Sequence, residues 1–94
     1  MDPKAITVDG IELVPRPDMA DDYDVVEAVA VTSDPDAPDY AKTRATVRVY
    51  RALLGADYDR VKAELRERNG GKLPCSVMID FMAKVMQEMG EAKN

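Results

Sequence analysis

The residues best placed for chemistry are acidic. Asp34, Asp36 and Asp39 fall close together, and Asp21, Asp22 and Asp24 cluster before them. Closely spaced carboxylates can open a calcium loop, in which oxygen ligands recur at fixed positions and a glycine permits the sharp turn. Here the spacing fails. A loop opening at Asp34 sets Pro38 at a ligand position, Asp39 where glycine is required and Ala45 where a bidentate glutamate belongs. The upstream aspartates fit the positive end of a helix better than a cation. The single thiol, Cys75, falls at a helix start. A nucleophilic cysteine needs a base, and the chain has 0 His. That absence removes histidine triads and the commonest metal ligand. One Cys excludes an intrachain disulfide and multi-cysteine metal clusters. The remaining carboxylates, tyrosines and lysines show no paired-carboxylate spacing. The expectation is a protein that is not an enzyme and uses no cofactor and no metal.

The 94 residues suit one domain, 1–94, with one core. The net charge is −5, but it is unevenly spread. Residues 1–40 hold 11 acids and 2 bases, and residues 41–72 hold 9 bases and 4 acids. Segregation of this kind marks a nucleic-acid face, an acidic tail, or two parts that attract each other. The last of these is expected here. The N-terminus shows no basic start followed by an apolar run, and no stretch approaches the ~20 apolar residues of a membrane span. A cytoplasmic protein with a reduced thiol and no membrane partner is expected.

The elements follow from punctuation and periodicity. Two apolar runs flank Asp9-Gly10, a favoured two-residue hairpin turn, so residues 5–14 predict a β-hairpin that Pro15 and Pro17 stop. Asp21 or Asp22 caps a first helix over 22–31, with Tyr23, Val26 and Val29, and Val25 beside them, on its apolar face. Two prolines in 32–38 make a loop. A second helix runs over 39–54, with Asp39 as its cap and Gly55 just past its end. A third covers 57–68, with Tyr58, Val61 and Leu65 on one face, and Asn69-Gly70-Gly71 closes it. Pro74 and a Ser76 cap open the last, over 75–89, and Gly90 ends it. The fold class is mainly α: a small helical domain of about four helices with a short N-terminal β-hairpin.

Two surfaces stand out. Val77, Phe81, Val85 and Met89 recur every four residues on the last helix, with Met78 and Met82 and Met86 in a row beside them. The stripe is wider than a coiled-coil seam. It reads as core, or as one row packed inward while the flexible methionine row meets a partner or a second copy. These seven residues are the candidate partner-binding site. Arg44, Arg48 and Arg51 share a face of the second helix and form an alternative site for nucleic acid or an acidic partner. Nucleic acid is the weaker reading, because the chain is acidic overall and aromatics between the arginines are few.

Arg-Ala-Leu-Leu-Gly-Ala-Asp-Tyr-Asp-Arg-Val-Lys-Ala-Glu-Leu-Arg (51–66) leads to Asn-Gly-Gly-Lys-Leu-Pro (69–74) and a final amphipathic helix. In order and spacing, residues 40–89 resemble the tail assembly chaperones of long-tailed bacteriophages and their prophages, with a weaker likeness over 5–31. The Met density and the Arg-rich second helix are not part of that likeness. The resemblance implies a non-enzymatic protein of the host bacterial cytoplasm. It would bind the tape measure protein, or another apolar helical segment, keep it soluble during tail assembly, and self-associate.

Overall fold

The structure is a computed structural model, and it describes residues 4–92. Strands β1 (Ile6–Val8) and β2 (Ile11–Leu13) pair antiparallel, with Ile6 opposite Leu13 and Val8 opposite Ile11. Asp9 and Gly10 both take positive φ, 52° and 80°, as a tight primed turn demands. Alternation then sends Val8, Ile11 and Leu13 inward and leaves Thr7 and Glu12 in water. A 3-10 helix (Pro17–Asp21) leads to α1 (Tyr23–Thr32) and α2 (Asp39–Leu54). A 3-10 turn (Gly55–Asp57) links α2 to α3 (Tyr58–Arg68), and α4 (Cys75–Ala92) follows. The protein is mainly α with an N-terminal hairpin, as the sequence predicts.

Two apolar clusters share α2. The larger joins the hairpin (Val8, Ile11, Leu13) to Leu53 and Leu54 of α2, to Tyr58, Val61 and Leu65 of α3, and to Phe81, Met82 and Val85 of α4. The smaller holds Val25 and Ala28 of α1 against Ala45 and Val49 of α2. Alanine on both sides lets these two helices approach closely. The body is flattened, 37 × 37 × 21 Å.

The hairpin is fastened to α3 and α4 by side chains. Val14 N donates to Asp57 Oδ2 at 2.8 Å, and Arg60 Nη2 donates to Glu12 O at 2.6 Å and to Asp57 Oδ1 at 2.9 Å. Arg68 donates to Asp9 O and to Glu64, while Lys84 Nζ meets both Asp9 carboxylate oxygens at 3.0 Å. At the other end of the ribbon Arg16 N donates to Leu53 O at 2.8 Å. The side chain of Arg16 crosses Gly55, whose positive φ strains any residue with a Cβ and whose Cβ position lies 3.0 Å from Arg16 Cδ, so that Arg16 would have to shift.

Several local expectations need correction. Asp22 does cap α1, accepting from Asp24 N at 2.9 Å. Asp39, however, is the first residue inside α2; Pro38 is extended there, and its carbonyl accepts from Ala41 N and Lys42 N. Ser76 likewise lies inside α4, because the Pro74 carbonyl accepts from Val77 N and Met78 N. In both cases proline's fixed φ starts the helix without a side-chain cap. Gly90 does not end α4, which runs to Ala92: its φ is not positive, and glycine merely permits a stop. On α1 the face that packs is Val25–Ala28, while Tyr23, Val26 and Val29 are exposed, because the small alanine lets α2 approach closest there. Among the described residues no ion pair joins α1 or the 33–38 loop to α2. The middle-segment cations Arg60 and Arg68 instead reach backbone carbonyls of the hairpin.

Two measurements check this account. Phe81→Ala should cost about 3–5 kcal/mol in urea unfolding, since its site is enclosed on all sides. The Val14 N–H, foremost, and Arg60 hold the Asp57 carboxyl below its ordinary pKa, against a smaller opposing effect of burial. A lowered folded pKa adds stability above the unfolded value of about 3.9, and that stability is lost as pH falls through the folded value. Asp57→Ala should therefore lower the melting temperature at pH 7 and flatten its decline below about pH 4.

Candidate partner-binding groove

The seven residues of the α4 stripe do not share one environment. Phe81, Met82 and Val85 are fully buried, and Val77, Met78 and Met89 pack half-buried on the same core. Met86, at 44%, is the most exposed of the seven. The buried centre of the helix runs between the two rows rather than along one of them. Both rows therefore contribute to the core, and exposure rises only at the stripe's edges. The three buried residues are thus removed from any partner-facing surface in this fold.

Apolar surface lies open beside that edge instead. α2, α3 and the first turns of α4 enclose a groove of about 360 Å³. Val47 and Tyr50 of α2, Leu73 before α4, and Met78 and Ile79 of α4 supply its apolar walls. Ile79 is 52% exposed and Val47 is 42% exposed. Each arrives there by local rules. Val47 and Tyr50 lie one turn apart on α2, opposite the Ala45–Val49 seam that packs on α1. Met78 and Ile79 fall at the edge of the α4 stripe, and Pro74 fixes the angle at which Leu73 enters.

Apart from the ammonium groups of Lys42 and Lys62, the polar groups of the groove are satisfied or neutral. The Thr46 hydroxyl donates to Lys42 O at 2.9 Å and asks nothing of a ligand. Burial pushes the Tyr50 phenol above its ordinary pKa, so it stays protonated and able to donate. Tyr58 forms the floor, with Lys62 Nζ 4.8 Å and the Arg51 guanidinium 5.2 Å from its ring centroid, both in cation–π range. Cys75 lies on the rim with an exposed, free thiol. An apolar trough with few polar points and no convergent acid–base set can hold an apolar side-chain row.

Sequence reasoning named Met78 and missed Val47, Tyr50, Leu73 and Ile79. A signal existed: Thr43, Thr46, Val47 and Tyr50 follow i, i+3, i+4, i+7 on α2, a second, weak stripe among the arginines. Of the alternative site, Arg44 and Arg48 line a different cleft, together with Asp24 and Glu27 of α1, while Arg51 turns to Tyr58. Among the described residues no three carboxylate, thiol or imidazole groups converge to hold a metal, and no helix is long and apolar enough to cross a membrane.

Val47→Asp and Ile79→Asp should leave thermal stability within about 1 kcal/mol of the parent, because both side chains already meet water. Met82→Asp should abolish the cooperative transition, since it buries an unpaired carboxylate. Circular dichroism melts of the three variants decide the point. Comparison of the chain with protein families, with curated proteins and with solved structures finds no match.

Proposed function

We propose that this chain is a non-enzymatic holding protein that keeps an apolar helical segment of another protein soluble, in the manner of a phage tail assembly chaperone. The observation that carries the reading is the open apolar groove of Val47, Tyr50, Leu73, Met78 and Ile79. Grooves of this kind take an amphipathic helix through a row of apolar anchors. Met78 supplies a flexible, polarizable surface that adapts to more than one sequence, as a holding protein for a long client requires.

The client in this reading is the tape measure protein, met in the cytoplasm of the host bacterium, and no cofactor or metal takes part. Phe81, Met82 and Val85 belong to the core in this reading and do not touch the client, and Val77 and Met89 pack on that core without lining the groove. The alternative, a nucleic-acid-binding regulator using Arg44, Arg48 and Arg51, draws less support. Asp24 and Glu27 stand in the same cleft as Arg44 and Arg48, and their charge opposes phosphate.

Co-expression with a phage tape measure protein tests the proposal. The parent chain should move that protein into the soluble fraction and co-purify with it. The Val47→Asp/Ile79→Asp double variant, folded by circular dichroism, should do neither. Equal rescue by parent and variant would refute the groove, and no rescue by the parent would refute the function.

A further inference from the structure

The cations of this protein fall into two sets. Arg16, Arg60, Arg68 and Lys84 each have a carboxylate within 4.0 Å. The last three of these face the hairpin, through the contacts that fasten it. Lys42 and Lys62 belong to the other set. They are the charged residues that line the apolar groove, and no described carboxylate stands within ion-pair distance of either. They come from different helices, α2 and α3, and Lys62 is held at the wall by its position over Tyr58. Asp80 follows Ile79 in the chain but does not line the groove. In a chain of net charge −5, the charged residues that line this apolar groove are positive alone.

We propose that the groove selects an amphipathic helix whose apolar stripe is flanked by carboxylates; this deepens, and rests on, the holding function above. Leucine-, isoleucine- or methionine-sized side chains of the partner fill the space between Val47, Tyr50, Met78 and Ile79. Glutamates or aspartates beside that stripe come to the unpaired ammonium groups of Lys42 and Lys62. Rim charges of this sort contribute little raw affinity, but they set orientation and reject partners of the wrong sign. A helix with lysines at the same positions meets like charge on both walls. The Tyr50 phenol, kept neutral, accepts or donates a hydrogen bond to either partner and does not discriminate.

Three synthetic helical peptides of about 18 residues, or five turns, test this. They share one leucine stripe and carry Glu, Gln or Lys at the flanking positions. Binding is measured by calorimetry in about 0.15 M salt, where screening leaves only near charges to act. The Glu peptide should bind about fivefold more tightly than the Gln peptide, and the Lys peptide most weakly. Lys42→Glu/Lys62→Glu should reverse that order. Lys42→Glu alone, should the double variant fail to fold, should narrow it. Bound Glu peptide should slow alkylation of Cys75, which lies on the rim. Equal affinity for all three peptides would overturn the charge selection while leaving the holding function intact. Binding of none would overturn both. Protection of Cys75 that grows with protein concentration in the absence of peptide would assign the groove to a second copy and overturn the proposal.

Discussion

A ribbon with three residues per strand cannot persist alone in water, and the burial of its inner face against α4 is the interaction on which the rest depends. Val8, Ile11 and Leu13 meet Phe81, Met82 and Val85 in one cluster, and Leu53, Leu54, Tyr58, Val61 and Leu65 close around them. Remove that contact and α4 loses its apolar cover while the hairpin loses its support. The polar fastenings act as a frame around this seam. Asp57, Arg60, Arg68 and Lys84 tie the turn and the outgoing strand to α3 and α4, and they add direction rather than bulk energy because all are partly exposed.

This seam also decides where the surface can act. Because α4 commits the centre of its stripe to the hairpin, only the edges of the stripe are left over. Ile79 and Met86 lie two turns apart on the same edge: Met86 is left exposed toward the C-terminal end of α4, while Ile79, with Met78, meets α2 and α3 and becomes the wall of the groove. The cations divide the same way. Those facing the hairpin are satisfied by carbonyls and carboxylates, and those facing the groove stay unpaired. Packing and charge thus leave one apolar trough with a positive rim on an acidic body.

Much of the fold was legible in residues 5–14, 22, 55 and 58–65. Asp9-Gly10 demanded a primed turn, Asp22 had an oxygen for the Asp24 amide, and Gly55 alone tolerates the reversal between α2 and α3. These are local rules, complete within a few residues. The caps expected at Asp39 and Ser76 and the stop expected at Gly90 failed locally, where proline and a helical glycine decided the ends; the other differences were non-local. Val26 and Val29 read as the packing face of α1, yet Ala28 won because the neighbouring helix presents Ala45. The α4 stripe read as core or as two separable rows, and the hairpin ribbon, by covering the centre of both rows, bears out the core reading for Phe81, Met82 and Val85. The groove escaped notice for the same reason: Val47, Leu73 and Ile79 lie far apart in sequence and none looks like an anchor until α2 and α4 are set side by side.

In the proposed function, partner helices contact the groove and not the Met86–Met89 end of the α4 stripe. Amide shift mapping by NMR, with a leucine-striped helical peptide titrated into the labelled protein, tests it most directly. The largest changes should cluster at Val47, Tyr50, Leu73, Cys75, Met78 and Ile79, with Met86 and α1 unmoved. Changes centred instead on Met86 and Met89, or on Tyr23, Val26 and Val29 of α1, would contradict it.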